Sequence, residues 1–138
     1  MGTHCATQIQ FNFTPLVTLV QQSDGYPSSH GKMLADFLKG IELVQGTGTG
    51  DTGTHANGSG CLAAQLVMQL KVEAGLGGIY LVDHETLGQM EYNYAINIVR
   101  DSSGAEHIGG ITVTDEEGDA TFIGDLIDFE KFCKKYKD

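Results

Sequence analysis

A chain of 138 residues, 41% of them hydrophobic, is the size of one domain with a real core, and it holds no apolar run of about 18 residues to span a membrane. Eighteen acidic against eight basic side chains set a formal net charge of −10, which argues against direct nucleic-acid binding, because phosphate contacts need Lys and Arg. Residues 1–130 carry 17 acidic and 4 basic side chains and residues 131–138 carry 1 and 4, so a basic partner protein is favoured over an acidic one.

The N-terminus lacks the charged-then-apolar build of a signal peptide, so the expected location is the cytosol. Three widely spaced cysteines, Cys5, Cys61 and Cys133, fit reduced thiols in that compartment.

In chain order, Thr7, Ile9, Phe11 and Phe13 alternate with Gln8, Gln10 and Asn12, which predicts a strand with one wet face. The β-branched run Leu16–Val20 predicts a second strand that pairs back on it. Asp24-Gly25-Tyr26-Pro27 is a shaped turn, and Ser28 or Ser29 is placed to cap a helix running to Lys39, with Gly40 at its end. That turn crowds Asp24, Tyr26 and His30 at a helix start, where loops often carry binding groups. Gly46–Gly60 reads as a flexible Gly/Thr-rich loop, since it has no apolar residue larger than Ala. Ser59 then caps a second helix from Gly60 to Ala74 with a Leu62, Leu66, Val67, Leu70 stripe.

Four further strands follow, at Ile79–Val82, Tyr92–Ile98, Ile108–Thr114 and Ala120–Ile123, with turns at Asp101–Gly104 and Asp115–Asp119. Asp125 caps a last helix whose apolar side comprises Leu126, Ile127, Phe129, Phe132, Cys133 and Tyr136. The order β-β-α-α-β-β-β-β-α predicts a single α+β domain over residues 1–138, a mainly antiparallel sheet with helices packed on one face.

Three stretches carry a resemblance: Met1–Cys5; the Asp24-Gly25-Tyr26-Pro27 turn with Gly31 and Leu34–Leu38; and Ala56–Leu66. Spread over roughly the first half of the chain, with Gly77-Gly78-Ile79-Tyr80-Leu81 as a weaker fourth piece, they resemble an uncharacterised family of small phage and prophage proteins. The chain differs from that family in carrying Gln22-Ser23 before the turn. The resemblance implies a phage origin and, by association, a role against host defence, with no reaction attached.

For chemistry, the five His and three Cys show no metal-ligand spacing, so no metal and no cofactor is expected. The lone Gly-x-Gly-x-Gly of Gly46–Gly50 lacks the Lys-Ser/Thr ending of a phosphate loop. The leading expectation is a non-enzymatic inhibitor of a host defence protein, of the anti-CRISPR kind. It would occupy a basic surface through Glu85, Glu91, Asp115, Glu116, Glu117 and Asp119. The alternative is a small-ligand or nucleotide-signal binder, or hydrolase, with a pocket at Asp24, Gly25, Tyr26, His30, Asn57, Gly58 and Cys61, the two helix starts sharing an anion-attracting site. A third is a structural or assembly protein, homodimeric through a strand edge or an apolar helix face.

Overall fold

A computed structural model describes residues 2–44, 54–74 and 78–137. In chain order the elements are β1 (Cys5–Phe11), β2 (Thr14–Gln21), a π-helical turn (Pro27–Gly31), α1 (Lys32–Lys39), β3 (Glu42–Val44), β4 (His55–Asn57), α2 (Gly58–Ala74), β5 (Ile79–Leu81), a 3-10 turn (His84–Thr86), β6 (Tyr92–Arg100), β7 (Glu106–Thr114), β8 (Ala120–Gly124) and α3 (Leu126–Lys135). Six strands form one sheet in the order β5-β2-β1-β6-β7-β8, and β3 and β4 form a separate two-stranded ladder. The class is α+β, as the sequence order predicts.

Two local units make the sheet. β1 and β2 are a hairpin closed by Asn12 and Phe13, both with positive φ (47° and 65°), the backbone that a two-residue hairpin turn demands. β6, β7 and β8 are an antiparallel meander. The units join through β1 and β6, which run parallel, and this pairing needs a long crossover. Residues 22–91 supply that crossover and include α1 and α2.

Alternation decides what the sheet buries. Cys5, Thr7 and Ile9 face the helices, in register with Tyr94 and Ile96 on β6, which in turn meet Val113 and Ile111 on β7. Leu34 and Leu38 of α1, Leu62, Leu66 and Leu70 of α2 and Phe129 of α3 close this core, all at most 2% exposed. Each such side chain contributes about 1.5–3 kcal/mol of burial, so the stripe on α2 holds that helix to the sheet.

Four details differ from the sequence expectation. The face predicted to be wet is partly covered, because the segment after β5 crosses it. Gln8 and Thr18 are buried there, with Gln8 Nε2 donating to Thr18 Oγ1 at 2.9 Å and Thr18 Oγ1 bonded to His84 Nδ1 at 2.8 Å. Helical structure before α1 begins at Pro27 with Tyr26 as its N-cap and no side-chain cap, so neither Ser28 nor Ser29 caps it. The predicted loop ends early: His55–Asn57 pairs in parallel with β3, and α2 starts at Gly58, because a carboxylate from β7 holds that helix end. The first part of that loop, residues 46–53, lies outside the described residues. Finally, Ile127 is 66% exposed, off the apolar side of α3.

Candidate functional site

The Asp24–Gly31 turn is built into the core. Asp24 takes φ 57°, tolerated by a short polar side chain, and turns the chain inward. Gly25 donates its N–H to the Thr3 carbonyl at 2.9 Å, and its own carbonyl accepts the Tyr94 hydroxyl at 2.7 Å. A Cβ on Gly25 would lie 2.7 Å from Cys5 Cβ, and one on Gly31 would lie 2.7 Å from Cys133 Sγ. Only glycine fits at these two contacts. Tyr26, half-buried, offers its carbonyl to the N–H groups of Ser29 and His30.

His30 is fully buried and fully bonded, contrary to the expectation of an exposed turn. Gln21 donates its Nε2 to the Ser23 carbonyl, which aims Gln21 Oε1 at His30 Nδ1, 3.2 Å away. Nδ1 therefore carries the proton, and Nε2 accepts from the Thr7 hydroxyl at 2.8 Å. The ring packs tilted on Tyr94, centroids 5.2 Å apart. Burial pushes the His30 pKa down from 6.5 to about 4, so the imidazole is neutral. Burial also raises the Tyr94 hydroxyl and pushes the Cys5 and Cys133 thiols up to about 12, which leaves both sulfurs as inert protonated packing groups.

The other half of the predicted pocket lies elsewhere. Gly58 has φ +86°, and Ser59 N donates at 2.9 Å to Glu106 Oε1, whose second oxygen accepts from Arg100 at 3.0 Å. Glu106 thus satisfies the start of α2 with a nearly buried carboxylate from β7. Cys61 is half-buried and receives a bond from Gln65 Nε2, Asn57 is exposed, and His55 sits 3.4 Å from Glu42. Asp24 instead shares a cavity with Leu70 and Gly78 at the far end of α2. At 1.5 Å per residue, the nine residues from Cys61 to Leu70 put about 14 Å between the two groups. The two helix starts share no pocket.

What does open beside the turn is a polar groove. One cavity of about 340 Å³ is lined by Gln21, Asp24, Ser29 and Leu70, and another of about 540 Å³ by Ser28, Lys32, Asp36 and Gln69. They meet at Ser29 and Met33, over the C-terminal half of α2.

The acidic residues fall together. Asn93, 1% exposed at the start of β6, accepts from the N–H groups of Gly88 (2.8 Å) and Met90 (3.2 Å) through Oδ1. Its Nδ2 donates to the carbonyls of Met90 at 2.9 Å and of Thr114 and Asp115 at 3.4 Å. One buried amide thus fastens the segment that carries Glu85 and Glu91 to the turn that carries Asp115, Glu116, Glu117 and Asp119. Asp115 is half-buried and builds its turn by accepting from the N–H groups of Glu117 and Asp119; the other five carboxylates are exposed. The ligand atoms of Asp115, Glu117 and Asp119 lie within 4.8 Å of one another, and here they count as charge density on an exposed turn. No Lys or Arg occurs between residues 72 and 99 or between 101 and 130.

Three structural residues escape a sequence reading: Asn93, Glu106 and Gln21. Asn93 and Gln21 look like the polar half of an alternation, and Glu106 like one acid among many. Their partners lie far along the chain or in backbone groups that no motif marks. Among the described residues no helix is long and apolar enough to cross a membrane. Comparison with protein-family models, curated proteins and solved structures finds no match for this chain.

Proposed function

We propose that this protein is a non-enzymatic inhibitor that binds a basic protein surface through its anionic rim. The observation that carries the reading is the Asn93 amide, which holds together the Glu85–Glu91 segment and the Asp115–Asp119 turn, two stretches that contain no Lys or Arg. Fixed carboxylates presented together resemble a run of phosphates to a Lys/Arg-lined groove, and they accelerate encounter with it. The target class is therefore a cytosolic protein whose groove otherwise holds nucleic acid. The resemblance of the Asp24–Pro27 turn and the Ala56–Leu66 stretch to phage proteins supports a host defence factor as that target.

The test is phage plaquing on a defended host that expresses either the protein or its Glu116→Lys/Glu117→Lys/Asp119→Lys variant. Plaquing restored by the wild type and lost by a variant of unchanged melting temperature is the expected result. Equal plaquing with both proteins would sink the reading.

A second reading rests on the groove beside the π-turn, where Asp24, Ser29, Lys32 and Asp36 line two adjoining cavities. It takes a small polar ligand. Native mass spectrometry of protein purified from cells tests it, since a retained small-molecule mass that Asp24→Asn removes would favour the groove over the rim.

A further inference from the structure

The two edges of the main sheet are finished differently. β5 is three residues long, and in its register with β2 the carbonyl of Ile79 points away from the sheet. Lys71 covers that carbonyl, donating from Nζ at 3.0 Å while it lies 5.5 Å over the Tyr80 ring. A short strand closed by a lysine is a protected edge. β8 is five residues long, has no Pro or Lys, and pairs only with β7 among the described residues. Thr121 is a bulge residue in that pairing, and from Phe122 to Gly124 the strand's outer edge has no strand partner among the described residues and is open to another chain. The strand also carries a large apolar side chain left in solvent, Ile123 (74% exposed), on the face opposite Phe122, which packs against α3.

The charges around this edge say what fits it. Asp119 precedes the strand, Asp125 follows it, and Asp128 lies one helical turn on, all exposed. A second copy laid antiparallel on β8 would bring Asp119 of one chain against Asp125 of the other, so self-pairing meets like charge at both ends. A strand with Lys or Arg at its ends meets opposite charge at both.

We infer that β8 is the docking edge for an extended segment of the partner protein, a strand in which Lys or Arg alternates with apolar residues, added to the sheet with its apolar side chains beside Ile123. This rests on the reading that the partner is basic, and it specifies how part of that contact is made: main-chain hydrogen bonds supply affinity, and the flanking carboxylates select the sequence.

The probe is a synthetic peptide of about nine residues alternating lysine with valine or isoleucine, with a control in which glutamate replaces lysine. Amide hydrogen exchange is followed across the whole protein, together with peptide affinity for wild type and Ile123→Lys, a substitution at an exposed site that leaves the core intact. The expected result is at least tenfold slower exchange at β8 amides with the lysine peptide, none with the glutamate peptide, and at least tenfold weaker binding to Ile123→Lys. Salt-sensitive binding with no protection at β8 would overturn strand addition and leave the anionic rim standing. No binding at low salt would overturn both. A dimer of the free protein in sedimentation, abolished by Ile123→Lys, would show that a second copy owns the edge and would also overturn the proposal.

Discussion

The turns Asp24–Gly31 and Asp115–Asp119 are the two polar-rich corners of the molecule, and they are put to opposite uses. The first lies in the crossover between β2 and β6, so its polar groups find partners far away: Thr7, Gln21, Tyr94 and the Thr3 carbonyl. The second closes a hairpin and satisfies itself within five residues through the Asp115 carboxylate. A turn that closes itself leaves its remaining side chains to solvent, whereas a turn that ties three strands together commits its buried groups, here His30 and the Gly25 backbone, and leaves only Asp24, Ser28 and Ser29 toward the groove. Polar residue type alone therefore does not mark a site; the sequence distance to the partner decides.

The sharpest break between the two corners is steric. A Cβ on Gly25 would also lie 2.9 Å from the Thr3 backbone oxygen, and neither backbone segment can retreat without losing β1 register. Gly25→Ala is expected to cost about 3 kcal/mol, read from chemical denaturation midpoints. Glu117→Gln at the exposed turn is expected to stay within about 0.5 kcal/mol. Matching midpoints for the two variants would erase the distinction.

Acid probes the same difference through His30. Its folded pKa, about 4, lies below the ordinary 6.5, so the folded state resists a proton that the unfolded state accepts. The stability this group supports is complete above pH 6.5, declines as pH falls toward 4, and declines no further below that. At about 1.36 kcal/mol per pH unit the loss is about 3 kcal/mol. His30→Gln should flatten that part of the stability curve, measured by urea unfolding between pH 7 and 4. A slope unchanged in the variant would mean that His30 is not the group being titrated.

Legibility follows the same rule of distance. The α+β class, the β1–β2 hairpin, the β6–β8 meander and the Asp125 cap were readable because each depends on neighbours in sequence; Asp125 does accept from Asp128 N at 2.9 Å. Asp24, Gly25 and His30 stand out in the sequence as a crowded turn, but a sequence cannot show that Tyr94 and Thr7 wait to receive Gly25 and His30, so a turn tied into the core reads there as an open one. The parallel β1–β6 pairing was hidden for the same reason, since its strands are separated by two helices. The acidic residues were readable as charges; their assembly into one rim depends on Asn93, which carries no signal of its own.

The start of α2 gives an intermediate case. Glu106 reaches it from β7, as the core turn reaches its partners, yet it serves a single helix end. Glu106→Gln keeps an acceptor for Ser59 N and removes the charge; Glu106→Ala removes both and also strands Arg100. Losses of about 0.5 and about 1.5 kcal/mol in thermal unfolding are expected in that order. Equal losses would assign the effect to packing rather than to the capped N–H.

The smallest effect separates two residues held at positive φ. Phe13 is 78% exposed at φ 65°, so replacing it sacrifices little burial, while the left-handed backbone costs a side chain with a Cβ about 1–2 kcal/mol. Glycine removes that strain but returns about 0.5–1 kcal/mol of unfolded-chain entropy, which leaves Phe13→Gly more stable by about 0.5–1 kcal/mol. Asp24 sits at φ 57°, where a short polar side chain already relieves part of the strain, so Asp24→Gly should be close to neutral. An exposed aromatic kept in a conformation that a glycine would improve is a side chain retained against stability. If Phe13→Gly instead destabilises the fold, the hairpin tip belongs with the core turn rather than with the exposed one.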